Sequence, residues 1–375
     1  MDIATARFPS LSHYIQLTDD ERCAILYTHE RAWRNQQPFL ESHGYMLRPR
    51  LRPGWTPSWR ISGEHPLDAE DTNYIHPFPH LTDATRISDG KLVSIKRVFS
   101  NSVEVKIATY LRNRLFEKDA RNHCVPILDL FEDDKNASIS YMVMPFLRWF
   151  DRPSFDSVDD VLDLGEQLLE GLVFLHEHGI AHRDCSYTNL MMDATPLFPD
   201  GFHPLRNTLK PDGKTAAWPY SRSHFPVKYY FIDFGISVQI PPDVQPKLAV
   251  GGDGRDQAPP ELSDDVPYDP FKLDVFILGN VFRKNLYDTL SNVGFLRPIW
   301  HSMTQPDPLE RPSPAEALQQ WQQMRRAVPY TRRRWRLKRR DEVPLLILFL
   351  DVVHLITSAA HIVKGTKTTK NLFSW

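Results

Sequence analysis

The chain has 375 residues, and its 45 lysines and arginines against 47 aspartates and glutamates leave a net charge of −2. That length suggests two or three compact units, and the near-cancelled charge excludes a chain that binds DNA or RNA through its overall field. A composition of 41% hydrophobic and 25% charged residues is globular, and 31 prolines against 16 glycines exclude collagen-like or Gly/Ser-flexible architectures.

The three cysteines, Cys23, Cys124 and Cys185, are odd in number, far apart and outside CxxC spacing. They exclude a disulfide framework and a cysteine-rich zinc site, and they suit a reducing compartment. The opening MDIATARFPSLSHY holds no apolar run that would serve as a signal peptide. The expectation is an intracellular protein, cytoplasmic or nuclear.

Residues 1–80 mix aromatic, arginine and proline residues with little periodicity. Within them, 45–59 carries Pro49, Pro53 and Pro57, which argues against a long helix or central strand and for a strap lying on a neighbouring domain. The alternative for the strap is a polyproline ligand for another protein. Residues 83–98 read as strand, turn at Ser88-Asp89-Gly90, and strand. A helical face follows at Val103, Ile107, Tyr110 and Leu111, then strands over 124–131 and 138–146. Residues 158–178 place Val161, Leu164, Leu168, Leu172 and Leu175 on one helical stripe. An aperiodic insert spans 194–226, and helical segments recur around 271–290 and 313–327. Strands first and helices later predict an α+β fold in two lobes.

The most specific signal is HRDCSYTNLMMD over 182–193, where Asp184 and Asn189 stand five apart. A carboxylate and an amide at that spacing on a loop can share a site, the first accepting a hydroxyl proton and the second holding a divalent cation. Downstream, FIDFGIS over 231–237 sets Asp233 after an apolar strand and before Gly235, an arrangement that presents a carboxylate to Mg²⁺. Upstream, Lys96 ends the strand LVSIK. The order lysine, HRD with its asparagine, and DFG is the protein-kinase set.

On these residues the chain resembles a eukaryotic protein kinase domain over roughly 82–325, and more narrowly the kinase-like proteins of basidiomycete fungi, which share the phrasing around 182–189, 229–237 and 267–280. The resemblance implies a small β-rich lobe over 81–147, a larger helical lobe over 148–327, an extension over 1–80 and a tail over 328–375. It further implies ATP and Mg as cofactors. Asp184 would be the catalytic base, Lys96 the phosphate ligand, and Asn189 and Asp233 the metal ligands. Glu104 would pair with Lys96, and Met144 and Phe146 would contact the nucleotide. APPE over 258–261 resembles the kinase APE motif, so Glu261 is expected to pair with Arg311, and Asp274 to hold the catalytic loop by its backbone, with His182 and Arg183 in structural roles. Each of these residues also has a plain reading: Lys96 as a solvated strand-end lysine, Asp184 and Asp233 as turn caps, Glu104 as a surface glutamate.

The pattern departs from the family's in two places. NYIHPFPHLTDATRIS over 73–88, the region expected to hold the glycine-rich loop, contains no glycine, and Pro77 and Pro79 remove two amide donors. Ser186 stands where serine/threonine kinases place a lysine and Thr188 where tyrosine kinases place an arginine, so a cation beside the transferred group is missing. The fungal family resembled here shares the serine. Between Ser237 and Glu261 the chain has no Ser, Thr or Tyr to phosphorylate. The expectation is an ordered segment in which Arg183 finds Asp243, Asp253, Asp256 or another acidic group, prolines 241, 242 and 246 restricting the loop.

In the tail, seven of nine residues over 332–340 are basic. The default reading is a solvated basic helix, with nuclear import and contact with an acidic membrane as alternatives. The apolar stretch 343–363 is 21 residues long. Its apolar gain of roughly −5 kcal/mol is offset by about +3 for Asp351, with His354, His361 and Pro344 adding more. A helix packed on the large lobe or on a partner is favoured over a membrane span.

Three functions follow from this reading. The first is a kinase acting on Ser/Thr hydroxyls of a protein substrate. The second is a pseudokinase serving as a nucleotide- or protein-binding scaffold. The third is a small-molecule kinase, against which Arg183, APPE and Arg311 argue. The substrate and pathway are not legible.

Overall fold

The computed structural model describes residues 16–74, 78–112, 116, 118–241 and 243–364, of which 357–364 are described by backbone alone. The opening residues through His13 and Tyr14, together with Pro77 and Pro242, lie outside them. The chain divides into one unit of residues 1–100, 127–146 and 198–217, and a second of 101–126, 147–197 and 218–375.

The first unit is built on an antiparallel five-stranded sheet in the order β1-β2-β3-β5-β4. Its strands are β1 (Tyr45–Leu47), β2 (Leu81–Arg86), β3 (Leu92–Phe99), β4 (Asp129–Glu132) and β5 (Ile139–Pro145). The β2–β3 hairpin turns through Gly90 at φ +70°, a left-handed conformation that costs glycine nothing. Alternation along β3 turns Val93 and Ile95 into a core shared with Tyr141, Val143 and Ala84. Helices α1 (Asp19–Ala24) and α2 (Thr28–Ser42) precede the sheet, and α2 sends Trp33 and Leu40 into the same core. A strong N-cap starts α1, where Thr18 and Glu21 satisfy each other's backbone.

Two expectations change here. The aperiodic start holds the 15-residue helix α2, and the stretch 45–59, read as a strap, supplies edge strand β1 and the core residues Leu47 and Leu51. Pro49 follows the strand closely and keeps it short, but it lies outside the three residues and removes no donor from the ladder. Residues 48–80 then join β1 to β2, passing through the short helix α3 (Trp59–Ser62). Part of the insert docks on this connection. His203 meets Glu70 at 3.1 Å, Lys214 meets Glu64 at 2.8 Å, and Arg206 donates to the carbonyls of Leu67 and Ala69 at 2.7 and 2.9 Å.

The second unit is mainly helical. It holds α4 (Val103–Leu111), α5 (Val158–Glu177), α6 (Pro270–Val281), α7 (Arg297–Met303), α8 (Pro314–Ala327), α9 (Tyr330–Arg333) and α10 (Pro344–Lys364). The stripe Val161, Leu164, Leu168, Leu172 and Leu175 of α5 is wholly buried. Helix α8 packs on α5 by laying buried Trp321 over Gly165, and the indole donates to Leu162 O at 2.9 Å. A Cβ on Gly165 would sit 2.0 Å from that ring, so the close approach requires glycine. The strands of this unit are short: β6 (Arg148–Trp149), β8 (Leu190–Asp193) and β9 (Lys228–Phe231) form one sheet, and β7 (Ile180–Ala181) pairs with β10 (Val238–Gln239). The strand expected from Cys124 begins only at Asp129, and Cys124 makes an isolated bridge to Phe231 instead.

The basic run is not a solvated helix. Only Tyr330–Arg333 is helical, and the chain then runs extended, bridging Ser157 through Arg336 and Leu290 through Arg339. Arg336 pairs with Glu342 at 3.0 Å and with Asp351 at 2.6 Å, and Lys338 reaches Asp351 at 2.7 Å. Asp351, a cost to any apolar partner, is thus the anchor of α10. The helix leaves Leu345, Leu348, Phe349, Leu355 and Ile356 exposed, so these residues are not packed on the large lobe. Among the described residues no helix is long and apolar enough to cross a membrane.

Candidate active site

The ladder of β8 against β9 sets the site. Leu190 stands opposite Phe231, and one step further Ile232 N donates to Asn189 O at 3.0 Å. Asn189 therefore enters β8 beside the residue that leads from β9 into Asp233. The side chain of Asn189 donates through Nδ2 to Asp184 Oδ2 at 2.9 Å and to Asp184 O at 2.9 Å. That leaves the amide oxygen as its acceptor.

Among the described residues, the only non-glycine positions at positive φ are Arg183 (+66°) and Asp233 (+63°). Such conformations cost of order 1–3 kcal/mol each and persist where the surroundings fix them. The surroundings of Arg183 are visible. Buried Asp274 accepts the backbone N–H of His182 at 2.8 Å and of Arg183 at 2.6 Å, and faces His176 Nε2 at 2.9 Å. His182 reaches Ile232 O through Nε2 at 3.0 Å, and its ring lies against Phe234.

The guanidinium of Arg183 does not meet a carboxylate, contrary to the sequence reading. It donates to Ile236 O at 3.0 Å, Val250 O at 2.9 Å, Gly251 O at 2.8 Å and Tyr268 Oη at 2.8 Å. Three backbone carbonyls and a phenol thus accept from all three of its nitrogens, and among the described residues no carboxylate does. Asp256, one of the expected partners, is taken by Asn280 at 2.7 Å and Lys284 at 3.0 Å, while Asp243 and Asp253 are exposed.

Asp184, Asp233, Gly235, Ile236, Gly254 and Arg255 line one pocket of about 440 Å³. Glu104 is buried on α4 near this pocket, since a Cβ on Gly235 would lie 4.0 Å from Glu104 Oε2 and 3.3 Å from Asp233 Oδ1. Asp184 Oδ1 also accepts the backbone N–H of Arg255 at 3.1 Å. The neighbouring thiol of Cys185 is wholly buried, and desolvation together with Asp274 and Asp184 pushes its pKa up, so it is no nucleophile. Burial and Asp151 push the Tyr187 phenol up to about 12.

Lys96, Met144 and Phe146 belong to the first unit. Lys96 is buried on β3 opposite Met142, Met144 pairs with Ser94 in β5, and the Phe146 ring lies 5.9 Å from Phe202. Glu261 and Arg311 form a two-pronged pair, one bond of 2.9 Å running from Nη2 to Oε2 and the other from Nη1 to Oε1, with Arg311 also donating to Gln305 O at 2.7 Å. Arg255 was not singled out by the sequence reading. The signal that could have found it is the run GGDGRD, whose three glycines include Gly251 and Gly254 at positive φ, which let the chain turn back toward Asp184.

Among the described residues no cluster of three or more His, Cys, Asp or Glu is placed to hold a metal. A carboxylate at Asp233 and an amide oxygen at Asn189 suit Mg²⁺ nonetheless, because that ion takes one or two protein oxygens and fills the rest with phosphate and water.

No family model matches the chain, and no curated protein does. Among solved structures it is similar to the Rad53 kinase domain with SCD2 in complex with AMPPNP, at 17% identity over 66% of this chain and 88% of that one, with a TM-score of 0.39. A score that low carries no argument, so the site is read from its residues.

Proposed function

We propose that this chain is an ATP- and Mg²⁺-dependent protein kinase of bilobal kinase-like fold that phosphorylates Ser/Thr hydroxyls of a protein substrate. The observation that carries this reading is the gathering of Asp184, Asn189 and Asp233: two carboxylates on one pocket, with the amide bound to the first and its backbone tied beside the second. Bound ATP would supply the phosphoryl group, and Mg²⁺ would neutralise its charge. Asp184 orients the attacking hydroxyl and accepts its proton. Both of its oxygens already accept one N–H, which fixes the carboxylate and leaves a further lone pair on each. Asp233 and Asn189 hold the cation, and Lys96 keeps the phosphate role that the resemblance implies.

The Glu261–Arg311 pair and the Asp274 anchor support a protein over a small-molecule substrate, since the resemblance places them in the peptide-binding lobe. One observation favours the scaffold reading instead. A long connection, residues 48–80, joins β1 to β2, where a kinase has a tight glycine-rich turn. The experiment that separates the two is transfer of labelled phosphate from ATP to Ser/Thr peptides, with Mg²⁺ or a chelator, beside calorimetric binding of ATP·Mg²⁺. Magnesium-dependent label on Ser or Thr supports the kinase. Tight binding without transfer to peptides or to the chain itself would make the protein a pseudokinase.

A further inference from the structure

The cation missing from the catalytic loop has a counterpart elsewhere in the second unit. Ser186 is buried, and among the described residues its hydroxyl reaches only Thr188 Oγ1, at 3.5 Å. Arg255 lines the pocket that holds Asp184 and Asp233. We propose that Arg255 brings the positive charge to the γ-phosphoryl group of ATP, taking the place of a lysine at 186. This rests on the phosphotransferase reading of the site.

Three observations place the residue for that work. Its backbone N–H is bound to Asp184 Oδ1 at 3.1 Å, so Arg255 begins one hydrogen bond away from the base. The peptide before it turns through Gly254 at φ +125°, where a Cβ would lie 3.3 Å from Arg183 O and 3.9 Å from Asp184 Oδ1, so the close approach needs glycine. The segment is clasped on both sides. Gln257 Nε2 donates to Gly252 O at 2.9 Å and Gly254 O at 2.7 Å, while Asp256 is held by Asn280 and Lys284. The side chain of Arg255 is exposed and makes no hydrogen bond or ion pair within the described residues. A fixed backbone with an uncommitted guanidinium is suited to a ligand that arrives with its own negative charge.

In the step itself the substrate oxygen forms its bond to the γ-phosphorus while its proton passes to Asp184. The bond from that phosphorus to the β,γ-bridging oxygen breaks, and ADP leaves with the electron pair. Arg255 keeps its protons throughout and donates them as hydrogen bonds to the phosphoryl oxygens. Its proposed role is at the γ group, which ADP lacks, so its removal should discriminate between the two nucleotides.

The test uses the full chain. Calorimetric titration with ATP·Mg²⁺ and ADP·Mg²⁺ should show Arg255→Ala weakening ATP by about tenfold or more and ADP by less than about twofold, as for a lost charge-assisted contact. Phosphoryl transfer should fall by about 10²–10³. Arg255→Lys should retain most of both, and Ser186→Lys added to Arg255→Ala should restore at least about tenfold in transfer. The thermal midpoint of Arg255→Ala should match wild type, because the backbone N–H to Asp184 survives the substitution. An unchanged ratio of ATP to ADP affinity in Arg255→Ala overturns the assignment of Arg255 and leaves the kinase reading standing. Failure of wild type to bind either nucleotide overturns the kinase reading and the assignment with it.

Discussion

Two arginines beside Asp184 treat a positive charge in opposite ways. Arg183, before it in the chain, is buried at positive φ, its backbone held by Asp274 and its side chain spent on three carbonyls and the Tyr268 phenol. Arg255, in the segment after Asp233, is exposed and tied by its backbone N–H alone. An arginine bound to the backbone holds the fold, while one with open donors is available to chemistry. The difference also bears on regulation. Many kinases leave the HRD arginine waiting for a phosphate on the segment, whereas here it already holds three carbonyls and a phenol, and the segment from 238 to 261 has no hydroxyl to phosphorylate.

The comparison breaks first if the bonds that hold Arg183 can be cut without cost. Asp274→Ala removes the acceptor for two buried backbone N–H groups and should destabilise the chain by about 3–5 kcal/mol, as seen in denaturant unfolding. Arg183→Met should cost about 2–3 kcal/mol, because the carbonyls of Ile236 and Val250 lose their donor while Gly251 O keeps only the Tyr268 hydroxyl. Arg255→Ala belongs to the other class, and its unfolding free energy should change by less than about 0.5 kcal/mol. The smallest effect is expected from phosphatase treatment, which should leave the transfer rate unchanged. A large loss would place control at a phosphosite elsewhere and undo this account of Arg183.

Regular segments were legible because periodicity reports burial directly. The α5 stripe and the β2–β3 hairpin, with Gly90 at its turn, came out near their observed bounds. Helix α2 did not, since its buried face mixes Glu30, Trp33, Gln37 and Leu40 and the helix contains Pro38. Strand β1 is three residues long, too short to alternate visibly. The motifs singled out Asp184 and Asp233, which line one pocket, and Asn189, which joins them through its bond to Asp184 and the ladder of β8 against β9. The partners of Arg183 were hidden for a different reason. They are backbone carbonyls, which every residue carries, so side-chain identity pointed to aspartates that have other roles. The pairing of Lys338 with Asp351 was hidden by distance along the chain, and with it the folded course of the basic run.

The most direct measurement is the rate at which the full chain transfers the γ-phosphoryl group of ATP, compared between wild type and Asp184→Asn, with Mg²⁺ and with the ion chelated. The account expects transfer by wild type that chelation abolishes. In Asp184→Asn it expects a fall of at least about a hundredfold with an unchanged unfolding midpoint, because the amide keeps the shape but cannot accept the proton. Equal rates in the two proteins, or no transfer by wild type with ATP·Mg²⁺ bound, would contradict it.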